Sequence, residues 1–350
     1  MGKNKEKRVK IATVAYLVLS LVVLVFVASL VAVYALPRSI GAVKWAVEKS
    51  PYPAVILDYR YGFSFKELAD NMTSIRRFYE NQDFSRVGLR VDFTTEDGQK
   101  RVKVREREVL NKMIEDKAIQ IIANQKNIYI TREMASQGVT RKLEEYGSSA
   151  QVTENLNRLY GWTLDDFESK VVIPSLYQEK LEAVFEEEVQ PSEHAKAKID
   201  EAQKMLRNGT SFADVAKKYS EGQTAKDGGD LGWFSLEDLA PELQKPVSLQ
   251  RVGIPGDIIE SDLGFHITLI EEMKKGDNGK QLYHLRQIFA RKATFSEWLA
   301  EKMKDIPIFV LLPEYTWNKD TSRLEFKSED MKSFEEELYR NPNGDAMFLF

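Results

Sequence analysis

Residues 208–222 read NGTSFADVAKKYSEG, residues 226–234 read KDGGDLGWF, and residues 262–272 read DLGFHITLIEE. In the first block Ser211 is placed to cap a helix, with Asp214 three positions on. Phe212, Val215, Ala216 and Tyr219 then give one apolar face at helical spacing. Upstream, Ala195, Ile199, Ala202, Met205 and Leu206 form a second such face, stopped at Asn208-Gly209. The second block is a glycine turn entering a short strand. A helix is expected over 236–244, and a strand over 264–268. Gly228-Gly229 does not suit a nucleotide phosphate, because no Gly-Lys-Ser/Thr follows. Helices flanking a small sheet are the outcome.

These three blocks resemble parvulin-type peptidyl-prolyl isomerases, whose pattern runs G-x-x-F-x-x-x-A-x-x-y-S, GG-D-L-G-W-f and f-G-y-H-I-i-k. The resemblance implies rotation about X–Pro bonds, which face a barrier of about 18–20 kcal/mol. It also implies an apolar pocket for the proline ring, backed by paired histidines and a Cys or Asp, with no cofactor and no metal. Carried over, His266 matches the histidine of the last strand, and Leu231 the leucine of the Gly-Asp-Leu-Gly strand. Leu239 and Leu243 stand where the family has Met and Phe, so the cradle stays apolar. Phe265, beside His266, joins them as a substrate-binding residue. Gly222 stands where Cys or Asp is expected.

The family begins with a strand of a-R-H-I-L-v type, and residues 189–193 supply nothing comparable. Residues 283–291, YHLRQIFAR, do resemble it. They are expected to fill the missing strand's place and give a circularly permuted sheet. Gln287 then replaces the second histidine as a catalytic residue, with His284 as a further substrate-binding candidate. Period two puts Gln287 and His284 on opposite strand faces, so at most one faces the pocket. His194 reads as solvated, and Tyr219, Trp233 and Trp298 as core aromatics.

Residues 11–36 carry no charge and are rich in Val, Leu and Ala, behind the basic flank KNKEKRVK. That length crosses a hydrocarbon core of about 30 Å. The flank favours a cytoplasmic N-terminus with the bulk of the chain extracytoplasmic. A cleaved signal peptide ending near 33–35 is the competing reading, against which the length argues. Helices are expected over 42–48 and 65–80. Val87, Leu89, Val91 and Phe93 alternate, and Val102 and Val104 resume after Asp97-Gly98, which predicts a β-hairpin.

Helical spacing follows from Glu106, with Thr131 and Thr163 as caps and Pro174 as a bend. The stretches VLNKMIEDKAIQIIANQKNIYIT and LYGWTLDDFESKVVIPSLYQEKL resemble the N-terminal chaperone domain of SurA-like and PrsA-like folding factors. The expected organisation is α+β: a flank and anchor over 1–36, a connector with the hairpin over 37–105, and a helical chaperone-like domain over 106–190. A parvulin-like domain over 191–292 and an α/β extension over 293–350 complete it. In that extension helices are expected from Thr294 and Ser328, and strands over 308–312 and 323–326.

The chain is 43% hydrophobic and 30% charged, with 50 Lys+Arg against 54 Asp+Glu and a net charge of −4. That balance gives no basic face for nucleic acid. No cysteine is present, and His194, His266 and His284 lack metal-ligand spacing. The implied function is a membrane-anchored folding factor isomerising X–Pro bonds in unfolded or extended clients. The alternatives are a non-catalytic chaperone with a degenerate site, suggested by Gly222 and Gln287, and a structural anchor acting through its helical body.

Overall fold

The computed structural model describes residues 11–36, 40–49, 51–81, 93–276 and 279–340. It divides into two compact units: Met1–Leu181 with Ala300–Phe350, and Glu182–Leu299. The boundaries expected at 190/191 and 292/293 therefore move to 181/182 and 299/300. Residues 37–190 do not form two separate domains.

The first unit opens with α1 (Ile11–Ala35), uncharged and largely exposed from Val18 onward. Helix α2 (Gly41–Lys49) buries Val43 and Val47. Strands β1 (Pro53–Leu57) and β2 (Tyr61–Ser64) pair as an antiparallel hairpin. Its turn holds Asp58 and Tyr59 at φ 48° and 58°, the two consecutive positive values of a type I′ turn. Asp-Tyr is not the Asn-Gly that normally signals this turn, so this hairpin escapes a sequence reading. Helix α3 (Phe65–Asn81) follows.

The hairpin predicted over 87–104 is corrected. Residues 82–92 lie outside the described residues, and α4 (Glu96–Gln125) contains both Val102 and Val104. Thr95 accepts a hydrogen bond from the Gly98 amide at 3.0 Å, and Glu96 and Asp97 favour the positive helix end. Asp97 also pairs with Arg101 one turn on, at 2.6 Å. Cap, dipole and pairing outweigh a short run of alternation. Val104, Leu110, Ile114 and Ala118 are fully buried along one side of α4.

Helices α5 (Arg132–Tyr146) and α6 (Ser149–Asn155) lead into a π-helical segment at Leu156–Tyr160. Gly161, at φ 73°, ends it. Helix α7 (Leu164–Phe167) begins with the Thr163–Asp166 capping box. A second π segment, Glu168–Val172, then leads into α8 (Ile173–Val189). Pro174 lacks an amide hydrogen, and the wider turn just before it accommodates that loss without ending the helix.

In the second unit, α9 (Pro191–Arg207) and α10 (Phe212–Tyr219) pack on one face of a four-stranded antiparallel sheet. Strand β3 (Asp230–Phe234), α11 (Pro241–Leu249), β4 (Ile259–Ser261), β5 (Gly264–Lys275) and β6 (Gln281–Arg291) complete it. The sheet order is β3-β6-β5-β4. Strand β6 thus lies between β3 and β5, in the interior of the sheet. On the helix face, Ile199, Ala202, Val215 and Ala216 meet Phe265, Ile267, Ile288 and Ala290. On the other, Leu243 and Val247 of α11 meet Ile270, Tyr283 and Leu285.

Helix α12 (Phe295–Met303) leads back into the first unit. There β7 (Ile308–Val310) pairs with β1, making the order β2-β1-β7. Strands β8 (Tyr315–Asn318) and β9 (Arg323–Phe326) pair with each other, and α13 (Glu329–Arg340) closes the described chain. Residues 300–340 are therefore part of the first unit's fold and not a separate extension.

Candidate active site

Adjacent residues of a strand point to opposite faces, and this sorts the candidates. His266, Thr268 and Ile270 of β5 share one face with Tyr283, Leu285, Gln287 and Phe289 of β6. His266 is only 7% exposed, and its ring stacks on Phe289 with centroids 4.6 Å apart. Gln287 Nε2 lies 3.1 Å from His266 Nδ1, and Ser261 Oγ lies 2.8 Å from Nε2. Ser261 Oγ also donates to the Gly264 carbonyl at 3.2 Å. The donors and acceptors balance for a neutral imidazole carrying its proton on Nε2. Gln287 donates to Nδ1, Nε2–H donates to Ser261, and Ser261 passes its own proton to Gly264.

Burial lowers the His266 pKa below its ordinary 6.5, opposed in smaller part by Glu242. The unfolded chain therefore binds a proton near pH 6.5 that the folded chain still refuses. The stabilisation is complete above pH 6.5 and is lost as pH falls through the lowered folded value. Urea unfolding should show stability declining from pH 7.5 to 5.5, with a shallower decline in His266→Phe. Equal slopes in the two chains would refute a neutral buried His266.

Leu243 is buried on this same face, and Leu231 and Leu239 pack half-buried against it. His266 and Gln287 thus lie on the sheet face that also carries Leu231, Leu239 and Leu243. Two candidates fall elsewhere. Phe265 is on the opposite face, in the core with Ile199 and Val215. Its assignment to the substrate set is corrected, since a strand neighbour of His266 must point the other way. His284 also lies away from His266. Its Nε2 is 3.3 Å from Asp230 and its Nδ1 is 3.1 Å from Glu271, and Trp233 covers the ring. Asp230, Glu271 and His284 offer ligand-type atoms within 4.8 Å of one another. The Arg286 guanidinium meets both carboxylates, at 3.6 and 2.5 Å, so the chain supplies the countercharge itself.

Two glycines hold the triad in register. Gly229, at φ 80°, accepts the Gln287 amide at 2.8 Å, and a Cβ there would sit 2.3 Å from the Gln287 carbonyl oxygen. Gly264, at φ 153°, would bring a Cβ within 2.2 Å of the Ala290 carbonyl. Gly222 is different. A side chain there would meet only Ser220 Oγ at 3.5 Å and Phe289 Cβ at 3.8 Å, which is ordinary contact.

The sequence reading missed Thr268, Gln250 and Ser261. Thr268 was findable, two residues beyond His266 on the same face. Its hydroxyl donates to Gln250 Oε1 at 2.8 Å, while Gln250 Nε2 donates to the carbonyls of Thr268 and Ile254 at 2.7 and 2.9 Å. Gly253 and Gly256 amides also donate to β5 carbonyls, both at 2.8 Å. The 250–256 loop is thereby laid along β5, with Leu249, Val252 and Ile254 exposed. A loop residue such as Gln250 carries no periodic signal, and Ser261 ends a strand of only three residues, too short to show one.

A family model described as the rotamase, PPIC-type PPIase domain matches residues 181–272. Those residues belong to that domain family. Among curated relatives, Chaperone SurA of Chromobacterium violaceum is 33% identical over 112 residues, covering 31% of this chain and 26% of the relative. Chaperone SurA of Nitrosococcus oceani is 38% identical over 101 residues, covering 29% and 23%. The chain thus spans about a quarter of the length of these relatives. A solved PrsA peptidylprolyl isomerase of Bacillus anthracis covers 67% of this chain and 97% of its own, at 19% identity. Its TM-score of 0.19 is too low for a structural argument. The rotamase match ends at Glu272, so β6, which supplies Gln287, lies beyond it.

Proposed function

We propose that the chain is a membrane-tethered folding factor whose rotamase domain accelerates cis/trans isomerisation of X–Pro bonds in extracytoplasmic polypeptides. The observation that carries this reading is the His266 triad on the sheet face that also holds Leu231, Leu239 and Leu243, with His266 and Ser261 inside the PPIC-type rotamase match and Gln287 beyond it. Isomerisation needs no nucleophile. An apolar surface that grips proline and excludes water favours the twisted amide over the planar one, and directed hydrogen bonds add to that preference. Leu231, Leu239 and Leu243 are assigned the ring. His266 and Gln287 are assigned the polar edge, and Leu249, Val252 and Ile254 an apolar rim for the rest of the client. We also read the sheet as circularly permuted, with β6 taking the place of the family's first strand. Helix α1 supplies the tether, with the N-terminus cytoplasmic.

The test is a protease-coupled assay on proline tetrapeptides with the full chain in nanodiscs. A rate that rises linearly with protein concentration is expected. No acceleration at any concentration would contradict isomerase activity.

Gly222 favours a second reading, a binder of proline segments with little catalysis, because the site lacks the side chain that the resemblance implies there. Gly222→Asp separates the two. The position has room, and one added hydrogen bond of about 1 kcal/mol corresponds to roughly fivefold in rate. A gain of that order is expected in the same assay. A variant that binds client peptide as before with no measurable turnover would favour the binder.

A further inference from the structure

We infer that Leu36, Ile40 and α2 form a seat on the phospholipid surface, with Trp45 as its interfacial anchor. The inference rests on α1 spanning the bilayer. About 20 residues at 1.5 Å each cross a core of about 30 Å. Residues 11–30 fill that core, and residues 31–35 rise about 7 Å further, the depth of one headgroup layer.

The folded unit already begins at the outer edge of the core and within this layer. Val33 is 3% exposed, packed against the protein and not left for lipid. The Tyr34 hydroxyl donates to the Pro53 carbonyl at 2.9 Å, and the Tyr52 hydroxyl donates to Ser29 Oγ at 2.9 Å. Tyr52 meets Tyr34 edge-on, and Tyr34 also contacts Phe65. With α1 gripped by β1, the adjoining residue 52 and α3 at its exit, the underside of the unit is held against the membrane.

What the chain displays there is apolar. Leu36 and Ile40 are 47% and 43% exposed, and Trp45 is 65% exposed on the side of α2 opposite Val43 and Val47. Lys44 and Lys49 flank it. In water, an exposed tryptophan following two exposed aliphatic residues is unfavourable. At headgroup depth it is the side chain that the interface prefers, with lysines reaching phosphate.

The chain has no cysteine, so Trp45→Cys and Tyr129→Cys each give a single spin-label site. Tyr129 is 59% exposed, beyond the far end of the 30-residue α4. In full chain reconstituted into phosphatidylcholine/phosphatidylglycerol nanodiscs, the label at 45 should collide several-fold more with oxygen than with a water-soluble nickel chelate. The label at 129 should show the reverse. Equal nickel access at both sites overturns the seat. So does protection from both quenchers at 45, which would mean that protein covers it. If the chain fails to float with liposomes, the α1 anchor itself is refuted, and the seat with it.

Discussion

His266→Ala should remove rotamase activity almost entirely, lowering kcat/KM by roughly ten- to a hundredfold, or about 1.4–2.8 kcal/mol of transition-state stabilisation. The substitution deletes the partner that Gln287 and Ser261 share. Gln287 loses its acceptor and Ser261 its donor, both at half-buried positions. Each lost hydrogen bond costs about 0.5–1.5 kcal/mol, so the domain also loses stability. Near-ultraviolet circular dichroism at low temperature shows whether the variant is folded when assayed. Gln287→His is the companion variant. It restores the residue that the resemblance implies and should keep activity within a few-fold of the parent. If His266→Ala, folded, isomerises as fast as the parent, the triad has no part in the chemistry.

Arg107→Met should be the most destabilising single change in the first unit, at about 3–5 kcal/mol. Arg107 is 8% exposed on α4. Its Nη1 donates to the Leu324 carbonyl of β9 at 3.0 Å, and its Nη2 pairs with Glu335 of α13 at 2.5 Å. Nη2 also reaches the Tyr339 hydroxyl at 3.3 Å. Burial already holds the Glu335 carboxyl above its ordinary range, despite the guanidinium. Burial, with a hydrogen bond to Glu108, takes Tyr339 up to about 12. Methionine keeps most of the volume and removes the charge, leaving Glu335 half-buried beside no cation. The midpoint of urea unfolding should fall accordingly, and adding Glu335→Gln should recover much of the loss. A shift below about 1 kcal/mol would place the pair among ordinary surface ion pairs.

Both variants show where the sequence was readable. Local signals were strong. Thr131, Thr163, Ser211 and Thr294 stand at the helix starts they were expected to cap. The resemblance of 283–291 to the family's first strand marked β6, and period two alone separates His266 and Gln287 from Phe265 and His284. The error over Phe265 came from grouping sequence neighbours where a strand separates them. The hairpin predicted near Val102 failed because a Thr-Glu-Asp helix start competes with alternation, and the cap prevailed. Long-range pairing left no such trace. Nothing near Ile308 announces β1 as its partner 250 residues earlier, and nothing near Arg107 announces Glu335. Gln250 in its loop and Ser261 at the end of β4 become meaningful only once β5 is in place beside them.

The most direct test of the central claim is to map a proline peptide onto the protein by NMR. Titrating a short X–Pro peptide into isotopically labelled chain should move the signals of His266, Gln287, Leu231 and Leu239. The resonances of His284, Arg286 and α9, across the sheet, should stay in place. Shifts confined to the His284 face, or to the helical unit alone, would contradict the account.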